Sequence, residues 1–193
     1  MLAPRDKLWP AHPLLVEAAL DLLGLPAACT PETIVGDFGC GDGPALFAAA
    51  ARGCRAIGWE IHGERAAQLA AEVTARGLGG SITVVEGNAL DARFSGEGDE
   101  GSEGGEAVPA PTHVFLYLIA RGLRLMLPIL RRLASLQPSA TLPVVTALYQ
   151  IEGLTPVEVK KVSTSEVNRT PLYLYSITAA AAGTSAEGGG GAE

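Results

Sequence analysis

Apolar residues along this chain recur with two alternating periods. From Pro13 to Leu25, the positions Leu14, Leu15, Ala18, Ala19, Leu22 and Leu23 fall at helical spacing. A proline suited to a first turn precedes them and Gly24 stands near the exit, so the segment predicts an amphipathic helix. Thr33 to Phe38 is a short apolar run that predicts a strand leading into a glycine cluster, and the alanines from Pro44 to Arg52 predict the next helix. The alternation continues with a strand from Arg55 to Trp59 ending at Glu60, an alanine-rich helix from Gly63 to Arg76, and a strand rich in β-branched residues from Ser81 to Val85. Strands from His113 to Leu118 and from Leu142 to Leu148 flank a helix from Arg121 to Leu136, where Pro128 should introduce a kink or mark the first turn. Two last strands, from Val157 to Val162 and from Leu172 to Ile177, have only the polar stretch from Ser163 to Thr170 between them and are expected to pair antiparallel.

This order predicts an α/β fold of the doubly wound, Rossmann-like kind: a mostly parallel, seven-stranded sheet with an antiparallel edge. Right-handed crossovers then put a ligand along the carboxyl ends of the first strands. A chain of 193 residues with 48% hydrophobic residues suits one domain, expected over residues 1 to 178. The stretch from Ser95 to Pro111 is rich in glycine and acid and is expected to be a disordered insert; residues 179 to 193, mostly alanine, glycine and serine, are expected to be a disordered tail.

Charge adds little once its distribution is considered. The formal net charge of -7 is carried by Glu97, Asp99, Glu100, Glu103 and Glu106 in the insert and Glu187 and Glu193 in the tail. Elsewhere fourteen acids balance fourteen bases, so total charge says little about partners. Arg121, Arg124, Arg131 and Arg132 share one predicted helix, which reads as a solvated face, and no nucleic-acid partner is expected. Cys29, Cys40 and Cys54 have spacings that fit neither a disulfide framework nor a thiolate zinc site. His12, His62 and His113 lack metal-ligand spacing and read as surface or loop residues, with His12 near the mouth of the site if the first helix covers it. No apolar run approaches a membrane span and no secretory-type core follows Met1 to Lys7, so an intracellular protein is expected, with the cytoplasm favoured and the mitochondrion as the alternative.

The chemistry concentrates in Asp37-Phe38-Gly39-Cys40-Gly41-Asp42-Gly43. Glycines at alternate positions let the backbone bend from strand to helix and approach a ligand with no side chain in the way. A nicotinamide dinucleotide site needs a further glycine three positions after the second, where Pro44 stands. Glu60 ends the second strand, twenty-one residues after Gly39, where a carboxylate can accept hydrogen bonds from both ribose hydroxyls of a nucleoside cofactor. Asp37 can contact a cationic amino group or order the loop amides. Asp42 can cap the following helix or support the cofactor.

These residues carry a family resemblance. Ile34 to Gly43 resembles motif I of the class I S-adenosylmethionine-dependent methyltransferases, and Ile57-Gly58-Trp59-Glu60 resembles their second motif. Val84 to Asp91 is similar to the third, which implies that Asn88, with Ala89 beside it, contacts the exocyclic amine of adenine. More narrowly, Val114 to Leu118, Pro143 to Thr146 and Leu172 to Tyr175 resemble the small methyltransferases related to the ATP synthase c-subunit lysine methyltransferases. Pro44 replaces the arginine usual in that group, Asn88 replaces the common aspartate, and the membrane-like amino-terminal segment of the animal enzymes is missing. The implied cofactor is S-adenosyl-L-methionine, held by Asp37, Gly39, Cys40, Gly41, Gly43, Glu60, Asn88 and Ala89. The implied acceptor is a protein lysine, with a small molecule as the alternative.

Methyl transfer from a sulfonium needs alignment and exclusion of water more than a strong base. Tyr117, at the end of the fourth strand, is the candidate catalytic residue, orienting the amine through its hydroxyl or ring face; the alternative is an ordinary core aromatic. No Asn/Asp-Pro-Pro-Tyr/Phe signature follows that strand, which argues against nucleobase or glutamine methylation. A non-catalytic adaptor retaining the nucleoside pocket is the second hypothesis. A nicotinamide oxidoreductase is disfavoured by Pro44 and by the lack of a Tyr-x-x-x-Lys pair.

Overall fold

The computed structural model describes residues 10–26, 28–97, 107–165 and 169–179. Seven strands form one sheet: β1 (Ile34–Phe38), β2 (Arg55–Glu60), β3 (Ile82–Glu86), β4 (His113–Leu116), β5 (Thr141–Ala147), β6 (Glu158–Ser163) and β7 (Arg169–Thr178). Their spatial order is β3-β2-β1-β4-β5-β7-β6. β1 to β5 pair parallel, while β7 runs antiparallel between β5 and β6. The doubly wound sheet with an antiparallel edge is the one that the element order predicts.

Among the described residues four α-helices cover the two faces. α1 (Pro13–Leu22), α2 (Pro44–Ala51) and α3 (Gly63–Ala75) contribute to one apolar cluster, through residues such as Leu15, Leu20, Leu46, Leu69 and Val73. On the other face α4 (Ala120–Ser135) buries Leu123, Met126, Leu130 and Leu133 against Ile34, Phe38, Val114 and Val144. Strand alternation sorts the faces: Val35 and Ala56 point toward α1 to α3, whereas Phe38, Ile57 and Trp59 point toward α4. Phe38 stacks on Trp59 at 4.4 Å, and Phe94 meets both edge-on.

α1 stops at Leu22, short of the predicted Leu25, because Gly24 takes φ 74°, a left-handed conformation that ends the helix. Arg52, just past α2, donates to the Leu25 carbonyl and pairs with Glu17 and Asp21, clamping α1 to α2. Pro128 lies well inside α4, so it does not mark a first turn. No helix among the described residues is long and apolar enough to cross a membrane.

Two expectations need correcting. Cys29 and Cys54 form a disulfide, with Cα atoms 4.8 Å apart. The Cys29 N–H donates to the Arg52 carbonyl at 2.8 Å, so the loop before β1 lies against the turn before β2; spacing along the chain gives no hint of that approach. Both ends of the stretch expected to be a disordered insert, residues 95–97 and 107–111, are ordered against the fold. Phe94 bridges Val108, the Ser95 N–H donates to the Val108 carbonyl, and Glu97 pairs with Arg132. Pro111 is buried against Gly36, where an added Cβ would stand 2.8 Å from its ring. The central acids Asp99, Glu100, Glu103 and Glu106, like residues 180–193, lie outside the described residues.

Candidate functional site

Strand order reverses beside β1, since β2 and β3 lie to one side and β4 and β5 to the other. A crevice outside the carboxyl ends of the strands is the usual consequence. The register then decides which side chains meet there. Asp37 pairs with Gly58 and with Phe115. Two residues further along each neighbour stand Glu60 and Tyr117, so the period of two puts all three side chains on the α1–α3 face. Gly58, between them on that face, lets the glycine loop and α2 pack directly on β2: a Cβ there would come within 2.5 Å of Leu46 and 2.6 Å of the Cys40 sulfur.

The glycine loop closes directly onto Glu60. One Glu60 carboxylate oxygen accepts the Gly41 N–H at 3.0 Å, and the other accepts the His62 N–H at 2.9 Å. Gly39 and Cys40 both donate their N–H to the Trp59 carbonyl, fixing the bend against β2. Gly39, Gly41 and Gly43 have φ of 98°, 56° and 73°, values that L side chains rarely adopt. A Cβ on Gly43 would also stand 2.7 Å from Leu69. Gly43 itself caps α2 with no side-chain bond and Asp42 is exposed, so Asp42 does not act as the cap.

Buried acids set the electrostatics. Asp37 and Glu60 are both buried. Loss of water, reinforced by the Glu60 charge, pushes the Asp37 carboxyl up to about 7 from its ordinary 3.8. Burial, and then the charges of Asp37 and Glu60, also push the Cys40 thiol well up, so it stays protonated and unreactive at neutral pH. His62 has a buried Nδ1 with no hydrogen-bond partner among the described residues.

The remaining predicted residues fall at the same edge. Asn88 and Ala89 follow β3; the Asn88 side-chain oxygen accepts the Leu90 N–H at 3.2 Å and caps a short 3-10 turn over Ala89–Asp91. Tyr117 lies just past β4, half-buried against the α1–α3 cluster, and its hydroxyl is pushed up by burial and then by Tyr149. Sequence reading passed over Gly58, Tyr149 and the orphaned His62 nitrogen. Only Gly58, within the second motif, carried a signal. His12 accepts the Leu14 N–H and caps α1, and His113 opens β4, where the predicted strand begins, beside the Thr112 hydroxyl.

No protein-family model matches the chain. A protein-lysine N-methyltransferase from Saccharolobus islandicus is 31% identical over 153 residues, which cover 78% of this chain and 83% of that protein. Among solved structures, an RNA methyltransferase from Salinibacter ruber in complex with S-adenosyl-L-homocysteine superposes with a TM-score of 0.67 at 22% identity, over 88% of this chain and 94% of that one. TrmK from M. capricolum, also bound to S-adenosyl-homocysteine, gives 0.54 at 12% identity, over 82% and 66%. At these identities the two structures share the fold.

Proposed function

Because this chain belongs to the class I S-adenosylmethionine-dependent methyltransferases, in the family of the Saccharolobus protein-lysine N-methyltransferase, we propose that it methylates the side-chain amine of lysine in a protein. The observation that carries the cofactor part of the reading is the join between the glycine loop and Glu60, made by the 3.0 Å bond from Gly41 to the carboxylate, and the lysine acceptor is supported by the 31% identical relative. A bare backbone bend and a strand-end acid thus adjoin at the carboxyl edge of the sheet.

The residues present fit the cofactor. A carboxylate offers about four acceptor positions; at Glu60 two amides occupy two of them and Arg65 stands 3.8 Å from one oxygen, which leaves acceptor capacity for ribose hydroxyls. Gly39, Cys40, Gly41 and Gly43 present backbone where side chains would obstruct, and Asn88 and Ala89 stand on the adenine side. Asp37 is suited to a cationic ligand, since a positive charge nearby would offset the burial that holds it near neutrality. S-adenosylmethionine supplies an electrophilic methyl group on a sulfonium. Tyr117 shares the sheet face of Asp37 and Glu60 and orients the acceptor amine through its hydroxyl or ring. A lysine amine must arrive deprotonated, and a half-buried, weakly polar entrance lowers its pKa.

Transfer of labelled methyl into a cell extract tests the reading. Label should appear in protein and survive acid hydrolysis as methyl-lysine. Label confined to nucleic acid or small molecules would overturn the lysine assignment. Undiminished binding of S-adenosylhomocysteine with no label in any fraction would identify an adaptor.

A further inference from the structure

The loop that follows β5 reaches the carboxyl edge beside Tyr117, and its construction is unusual. Leu148 is a non-glycine residue at φ 72°, a left-handed conformation costly for a branched side chain. Hydrogen bonds on several sides hold it there. The Leu148 N–H donates to the Pro171 carbonyl at 2.9 Å, and the Tyr149 N–H donates to the Ala147 carbonyl at 2.9 Å. The hydroxyl of Thr146, fully buried, donates to the Tyr149 carbonyl at 2.7 Å. Beyond it the Ile151 N–H donates to the Tyr175 hydroxyl at 3.0 Å, and Ile151 itself is buried.

So much fixation would ordinarily serve to bury the side chains of the loop. Here it exposes them: Leu148 is 38% and Tyr149 41% accessible, and Ile119, at the end of the neighbouring β4 loop, is 46% accessible. Strand register explains why the two loops meet. Leu116 pairs with Thr146, so Tyr117 and Tyr149 leave adjacent strand ends, and their phenols lie close enough to interact electrostatically. The fold thus spends backbone strain to hold an aromatic ring and two aliphatic side chains in water beside the candidate methyl-transfer position.

We propose that Tyr149 is a specificity residue that, opposite Tyr117, forms the second aromatic wall of the acceptor entrance and receives the side chain of a lysine. The proposal rests on the lysine reading above. An aromatic face attracts the ammonium of an arriving lysine, and the rim made by Ile119 and Leu148 packs the aliphatic stem. Desolvation between the two rings then favours the neutral amine. A flat nucleobase would also stack on tyrosine, but it offers no aliphatic stem for Ile119 and Leu148 to cover.

The test uses the full chain, labelled S-adenosylmethionine and short synthetic peptides each bearing a single lysine. In Tyr149→Ala the KM for the peptide should rise about tenfold, with kcat less affected and S-adenosylhomocysteine binding unchanged. Tyr149→Phe, which keeps the ring, should restore most of the loss. Equal kcat/KM in wild type and Tyr149→Ala would overturn the role of Tyr149 and leave lysine methylation standing. A fall in kcat or in S-adenosylhomocysteine affinity with no change in KM would also overturn it, because the residue would then act on the fold or on the cofactor. If the wild type binds S-adenosylhomocysteine but methylates no lysine peptide, both the lysine reading and this proposal fall.

Discussion

The two sides of the sheet's carboxyl edge are built from different materials. Beside β1 and β2 the wall is mostly backbone: three left-handed glycines, amides donated to the Trp59 carbonyl, and a carboxylate held by two further amides. Beside β4 and β5 the wall is mostly side chain: Tyr117 half-buried, Ile119, Leu148 and Tyr149 exposed, and one strained residue held by its neighbours. A backbone cradle suits a ligand that never varies, because any side chain would only obstruct it. Side chains on loop ends suit an acceptor that differs between relatives, since they can change without disturbing the sheet.

The largest effect that would sharpen this contrast concerns Asp37 on the backbone side. Its folded-state carboxyl is raised to about 7 from 3.8. Below about pH 4 it is protonated in folded and unfolded chains alike. As pH rises from there to about 7 the unfolded chain ionises freely and the folded one does not, so stability falls by on the order of 4 kcal/mol. Urea midpoints measured across that window should show the decline in the wild type and a flatter curve in Asp37→Asn. Parallel curves would mean that Asp37 is not held neutral.

A smaller loss is expected from Glu60→Ala. It removes the acceptor of the Gly41 and His62 amides and, in the role proposed for it, of the ribose hydroxyls, so binding of S-adenosylhomocysteine should weaken by about 1.5–3 kcal/mol. Calorimetric titration measures it, and an unchanged dissociation constant would take Glu60 out of the cofactor wall. The smallest change probes the side-chain half. Leu148→Gly should raise stability by roughly 0.5–1 kcal/mol, relief of left-handed strain outweighing the extra freedom of glycine in the unfolded chain. Methylation of lysine peptides should weaken in the same variant. A stability gain with undiminished acceptor KM would break the link between strain and function.

Much of the backbone half was legible in the sequence. Gly39, Gly41, Gly43 and Glu60 belong to one contiguous strand-loop-helix-strand unit, where spacing along the chain nearly equals position in space. Asn88 was located by motif, although its side-chain oxygen caps the 3-10 turn. The side-chain half was legible only at Tyr117. Tyr149 lies in a stretch with no motif, and nothing in its neighbours announces that Leu148 takes a positive φ. The same limit explains Cys29 and Cys54, which are brought together by a loop packing on the far end of α2, and Glu97, an insert acid that reaches Arg132 on α4.

Local pattern determined the order of strands and helices, the bend at the glycines and the acid at the end of β2, because each depends on sterics and hydrogen bonds within a short span of chain. Tertiary structure alone decided that Asp37, Glu60 and Tyr117 share a face, that Tyr149 stands beside Tyr117, and that two distant cysteines are joined. The first two outcomes depend on inter-strand register, where a slip of one residue would turn every side chain of a strand to the opposite face, and the third on a loop packing against the end of α2.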